Sequence, residues 1–185
     1  MSIKTSDMFE VRPVAQREWN ILILLAFFFG AVGTGLFLVS AFFNFTFGVV
    51  LSLLIVAICM GYPHLIYLGR PLRFWRMLTS WSAFRRSWLT RGMWGWVLFM
   101  TFGVLYALSL GEFTWLPWTS QSTAGRIMLG IAAVASIWGM IYVGFVMAQS
   151  PAIAFWNTPA LPVLFLIYGL IDGIDLTLVL LAVRG

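Results

Sequence analysis

The chain has 185 residues, of which 62% are hydrophobic and only 9% charged, with a formal net charge of +5. Soluble domains carry about 25% charged and about 45–50% apolar residues, so a single small core is excluded as the destination of this apolar surface, and lipid must solvate much of it. A lone cysteine (Cys59) and a lone histidine (His64) exclude an intrachain disulfide, an iron–sulfur cluster and a bis-histidine haem held by this chain alone.

Taken in order, residues 1–18 are polar and mixed in charge, which predicts a surface tail. The first span runs from Trp19 to Phe43 without a charge. It is too long for the apolar core of a cleavable signal. Gly30, Gly33 and Gly35 in its middle would let another helix approach closely. Asn44 to Phe47 turns the chain, and the second span runs from Gly48 to Leu68 with Pro63 and His64 near its end.

Residues 69–92 follow as a basic interfacial segment with Arg70, Arg73, Arg76, Arg85, Arg86 and Arg91. Basic clusters beside apolar runs read as topology signals or lipid contacts, not as a nucleic-acid surface. The first three arginines recur every third residue among Phe74, Trp75, Met77 and Leu78, the pattern of a short amphipathic helix lying at the interface. Every basic position here is arginine, which favours multidentate pairing with carboxylates. A docking surface for a soluble subunit is therefore an alternative to lipid contact.

The third span runs from Met93 to Leu110. The loop Glu112 to Gly125 holds Trp115 and Trp118 as expected interface anchors. The fourth span runs from Arg126 to Met147, a connecting segment from Ala148 to Pro162, and the fifth span from Val163 to Val183. The expected fold is all-α: residues 19–185 form one polytopic transmembrane bundle of five spans. An odd count puts the termini on opposite sides. The positive-inside rule makes the face with the amino terminus and the basic segment cytoplasmic.

Four groups could carry chemistry. His64 sits at a membrane boundary after Pro63, which cannot donate a backbone bond and loosens the last turn. Its imidazole offers one donor and one acceptor and titrates near neutral pH, which suits a quinone carbonyl and proton exchange with it. The plain alternative is an interfacial histidine bonded to a nearby carbonyl. Tyr142, in the fourth span, could donate to a quinone or serve as an ordinary interface aromatic. The arginines could dock a partner or orient the chain. Asp172 and Asp175 lie mid-way along the fifth span, three residues apart and on one face. Each costs about 2.5–3.5 kcal/mol at the bilayer centre, and two ionised carboxylates so close repel, so the pair is expected to hold a proton. That reads as a proton relay or ion site, or else as packing polarity that pairs with a neighbouring helix.

The stretch from His64 through Gly69, Arg70, Pro71, Arg73, Phe74, Trp75 and Arg76 to Met77 resembles the signature of the NrfD/PsrC family of membrane subunits of polysulfide, nitrite and tetrathionate reductases. Ser87-Trp88 through Thr90-Arg91-Gly92 to Trp94 resembles a second element of that family. Tyr142 through Gly144, with Phe155-Trp156-Asn157-Thr158-Pro159, resembles a third. The resemblance implies a four-helix bundle, here with one further helix, that binds a quinone near one membrane face and holds no cofactor of its own. It implies menaquinone or ubiquinone as substrate, with His64, Tyr142, Arg70 and Arg73 at the quinone and Arg76, Arg85, Arg86 and Arg91 at a docking surface. It further implies a ferredoxin-like iron–sulfur subunit, a molybdopterin or multihaem catalytic subunit beyond it, and a bacterial inner-membrane location.

Relatives in that family usually have eight or more spans against five here, so a truncated member, a short paralogue or a site completed by a second membrane subunit all remain alternatives. Asp172 and Asp175 stand where many relatives have small or hydroxyl residues, although some energy-conserving relatives carry membrane acids proposed to move protons. Three functions follow in order of expectation: a quinone-reactive subunit of a respiratory oxidoreductase, a passive anchor for a soluble enzyme, and an ion-translocating subunit using the two acids.

Overall fold

A computed structural model describes residues 20–67, 69–111, 116–148, 156 and 158–184. Tail 1–18, Trp19, Leu68, Trp115 and most of the 148–162 segment lie outside the described residues. The described residues are all-α. Helix α1 is Ile21–Phe42, α2 is Thr46–Tyr67, α3 is Trp75–Thr79 and α4 is Trp81–Arg86. Helix α5 is Trp88–Leu110, α6 is Thr123–Ala148 and α7 is Leu161–Arg184. Five of them, α1, α2, α5, α6 and α7, are long and apolar enough to cross a membrane. Helix is the form that satisfies every backbone group within its own segment where no water is present.

Local chemistry sets the ends. Asn20 caps α1, its Oδ1 accepting from Leu22 N at 3.0 Å and Ile23 N at 3.3 Å. The chain then reverses through Asn44, whose φ of 55° lies in the left-handed region that asparagine tolerates. Ser87 caps α5 through Oγ, accepting from Thr90 N at 3.4 Å. That cap starts the third span at Trp88, five residues earlier than the hydropathy pattern of Met93 onward implies. The arginine-repeat stretch departs from one short amphipathic helix, because Pro71–Arg73 is a 3-10 turn and the α-helix begins only at Trp75. Beyond it, Ser80 is extended (φ −91°, ψ 104°) and separates α3 from α4, and its Oγ caps α4 by accepting from Ala83 N at 3.3 Å.

Helix α2 carries a feature that hydropathy does not encode. Its backbone ladder is α-helical over Thr46–Leu54, widens to a π-helix over Ile55–Gly61, and returns to α over Tyr62–Tyr67. Pro63 supplies the reason: it has no N–H to donate, and its ring crowds the carbonyl four residues back in a regular helix. Widened turns relieve such conflicts.

Helix α1 is the most buried of the five and packs against α2, α6 and α7. Helix α5 packs against α6 and, more lightly, α2. Thus α1, α2, α5 and α6 form a four-helix bundle, and α7 lies outside it in the groove between α1 and α6, the least buried span. The α1–α7 contact depends on absent side chains. A Cβ at Gly35 would strike the Gly169 carbonyl, and one at Gly173 would strike the backbone of Gly35. Between apolar helices in lipid, such close backbone approach and its dispersion energy replace the hydrophobic drive.

Candidate functional site

Most buried hydroxyls in the bundle satisfy themselves within their own helix. Thr34 Oγ1 donates to Gly30 O at 2.8 Å, Ser52 Oγ to Val49 O at 2.6 Å, Ser136 Oγ to Ala132 O at 2.9 Å and Thr177 Oγ1 to Gly173 O at 2.7 Å. Ser40 Oγ and, in the loop after α5, Trp118 Nε1 depart from that pattern singly, whereas three larger polar side chains depart from it together. Both ring nitrogens of His64, Nε1 of Trp96 and the hydroxyl of Tyr142 are buried without a hydrogen-bond partner. His64 is 2% exposed, Trp96 4% and Tyr142 0%. A buried polar group left unpaired costs about 1–3 kcal/mol, so three in one region mark a place built for a further partner.

Three helices bring them together: His64 from the end of α2, Trp96 from α5 and Tyr142 from α6. Phe27 of α1 stands between two of them, its ring 6.4 Å from His64 and 6.1 Å edge-on from Tyr142. Trp96 meets Tyr142 edge-on at 5.9 Å, and its Nε1 lies near the Tyr142 hydroxyl without completing a hydrogen bond. Glycines make the room. A Cβ at Gly92 would occupy the Tyr142 ring, and Cβ atoms at Gly30 and Gly139 would press the Trp96 ring at 3.0 and 3.1 Å.

His64 and Trp96 share the wall of a cleft of about 200 Å³ between α2 and α5. Met60, Gly61, Met93 and Val97 line it, together with Phe74 of the interfacial segment. The volume lies below the 300–1,000 Å³ of a drug-sized ligand pocket, enough for a ring-sized head group. The cleft surface is apolar, and the His64 ring nitrogens and the Trp96 N–H lie buried in its walls. It can hold a flat, weakly polar ring by dispersion, and a small rotation of the His64 or Trp96 ring would bring a nitrogen to its surface.

Of the residues picked from sequence, His64 and Tyr142 meet in this cluster. Arg70 and Arg73 are exposed on the interfacial segment and do not line the cleft, and Arg76 is exposed beside them. Arg85 and Arg86 are exposed on α4. Arg91 is engaged inside the chain: Nε donates to Phe84 O at 3.0 Å, NH2 donates to Arg85 O at 2.6 Å, and the guanidinium lies 4.5 Å over the Trp88 ring. It ties α4 to α5. Asp172 is half-buried and Asp175 exposed on α7, which contributes nothing to the cleft wall. Trp96 is the functional candidate that sequence reasoning misses. It is one of ten tryptophans, and only its pairing with Gly30 and Gly139 on two other helices distinguishes it.

The architecture is that of a multi-pass membrane protein with an internal polar cluster near one membrane face. The family profile described as polysulphide reductase, NrfD, matches residues 12–185. The chain belongs to the NrfD family, whose members are membrane subunits of respiratory oxidoreductases working with other subunits. No curated protein and no solved structure matches the chain.

Proposed function

We propose that this chain is the quinone-reactive membrane subunit of a multisubunit respiratory oxidoreductase in a bacterial inner membrane. The observation that supports the reading is the trio of buried, partnerless polar side chains, His64, Trp96 and Tyr142, of which His64 and Trp96 wall one apolar cleft and Tyr142 packs behind Trp96. A menaquinone or ubiquinone head group fits that chemistry. Its ring suits apolar walls, and its two carbonyls accept hydrogen bonds from an imidazole, an indole or a phenol. Bound there, the quinone supplies two-electron, two-proton chemistry in a lipid-soluble form.

The residues of this chain bind the head group and manage its protons. Tyr142 and Trp96 donate to carbonyl oxygen. His64 donates from one nitrogen and accepts at the other, so it can hand a proton to quinone oxygen or take one from it. Phe74 adds an aromatic ring to the cleft wall. Electrons pass to or from an iron–sulfur centre in a ferredoxin-like subunit on the arginine-rich face, with a molybdopterin or multihaem catalytic subunit beyond. Arg70, Arg73 and Arg76, exposed on that face, give the soluble subunit cationic contacts.

The test is His64→Ala in the purified complex. Quinone-dependent turnover is expected to fall at least about a hundredfold, the low end for loss of a positioned acid–base group, while turnover with a soluble redox dye that bypasses this subunit stays normal. Unchanged quinone turnover sinks the proposal and leaves the chain as an anchor. A second reading, proton movement along α7, draws on Asp172 and Asp175 in the fifth span.

A further inference from the structure

A second cavity lies on the opposite side of α5 from the His64 cleft. It is a groove of about 550 Å³ between α5 and α6, walled by Trp94, Leu98, Ile131, Val134 and Trp138, with Phe84 of α4 beside them. From Arg91 to Leu98 the groove follows α5 for seven residues, about 10 Å of depth at the helical rise. Phe84, Trp94 and Leu98 also line an adjoining hollow of about 400 Å³ that reaches Trp81. Trp81 in turn borders a surface hollow of about 390 Å³ lined by Ser82, Arg85 and Arg86. The three hollows adjoin in series along the outer face of α5, α6 and α4, apolar beside the spans and cationic at the interface.

The path is held open by fixed contacts. Trp94 Nε1 donates to Leu78 O at 3.2 Å, and Trp138 Nε1 donates to Arg91 O at 3.2 Å, so both indoles that wall the groove are pinned. Arg91 is committed to two carbonyls and the Trp88 face. Arg85 and Arg86 are exposed, and among the described residues no carboxylate pairs with them, the described acids being Asp172 and Asp175 within α7. Gly130 forms an open stretch of the wall, where a Cβ would meet nothing within 4 Å.

We propose that this path is a binding site for one anionic glycerophospholipid, its phosphate on Arg85 and Arg86 and one acyl chain in the groove beside Gly130. Charge at the mouth and apolar depth behind it match the two ends of such a lipid, and basic pockets between membrane helices bind anionic head groups. A neutral isoprenoid tail would use the groove and leave the arginines idle. An acidic soluble subunit would use the arginines and leave the groove empty.

The full chain in detergent, analysed by native mass spectrometry with phosphatidylglycerol and phosphatidylcholine of identical acyl chains, tests the assignment. Wild-type protein is expected to retain one phosphatidylglycerol over phosphatidylcholine by a ratio on the order of tenfold, as two interfacial arginines imply. Arg85→Gln with Arg86→Gln should bring the ratio close to one. Gly130→Leu should cut retention of both lipids about tenfold without lowering the melting temperature, since leucine enters free space and favours helix over glycine. Equal retention of the two lipids by wild-type protein overturns the assignment, as does unaltered retention in Gly130→Leu. Loss of a copurifying soluble subunit from the double glutamine variant, with the lipid ratio intact, also overturns it in favour of protein docking.

Discussion

Tyr142→Phe removes one oxygen from the cluster and leaves the ring contacts to Phe27 at 6.1 Å and Trp96 at 5.9 Å in place. That oxygen is fully buried and has no hydrogen-bond partner. Its unpaired state costs about 1–3 kcal/mol in the empty protein. Trp96 Nε1 stays unpaired in the variant, so the gain is set near the lower end, about 1 kcal/mol, or about 2–4 °C in apparent melting temperature for a chain of this length. With quinone bound the sign reverses. The hydroxyl then makes one net hydrogen bond of about 0.5–1.5 kcal/mol, so its loss weakens quinone affinity about two- to tenfold. Thermal melts of the empty protein in lipid nanodiscs measure the first quantity. Quenching of tryptophan fluorescence by a short-tailed quinone measures the second. A variant that melts lower than wild type when empty, or binds quinone equally well, refutes the idea that the phenol is kept unpaired for a ligand.

Two further predictions concern the periphery. Arg91→Ala deletes two hydrogen bonds from a charged donor to the Phe84 and Arg85 carbonyls. Such bonds contribute about 1.5–3 kcal/mol when shielded and less at an exposed site, so amide exchange across Trp81–Arg86 is expected to quicken about tenfold, and lysine at 91 should not restore it because a single ammonium lacks the fork. Hydrogen-exchange mass spectrometry reads this directly, and an unaltered rate discards the tether. Asp175→Leu should favour insertion of the α7 segment by about 3–4 kcal/mol in a glycosylation-reporter assay, because a mid-span carboxylate is costly and leucine favourable. An unchanged inserted fraction would place Asp175 at the membrane surface instead.

The spans were legible because each is a long apolar run, and the helix is what a chain in lipid must adopt. Their ends were less so: Ser87 begins α5 by a side-chain cap inside a stretch whose charges argue for surface. The arginine repeat marks a helical stretch but not its form, since Pro71–Arg73 winds as a 3-10 turn and only Trp75–Thr79 as an α-helix. His64 and Tyr142 were readable as the lone imidazole and a phenol at the right level. Trp96 was not, since its meaning lies in glycines 66 and 43 residues away on other helices. Arg91 looked like a docking cation because its actual acceptors are backbone carbonyls, which every residue has. The groove beside Gly130 needed the pairing of α5 with α6 before a missing side chain could be seen as an opening.

The widened turns of α2 act as a rotational offset in the middle of the span. A π turn accommodates about one residue more than an α turn, and one residue corresponds to about 100° of azimuth around the axis. Everything after Gly61, His64 included, is thereby indexed against the upper half of the same helix. Tightening Ile55–Gly61 into a regular α ladder with every residue kept would swing the imidazole about 100° off the cleft wall, whereas deleting one residue there would restore the ladder and leave His64 facing the cleft. The position of the bundle's single histidine is thus held by the winding of its helix as much as by its neighbours.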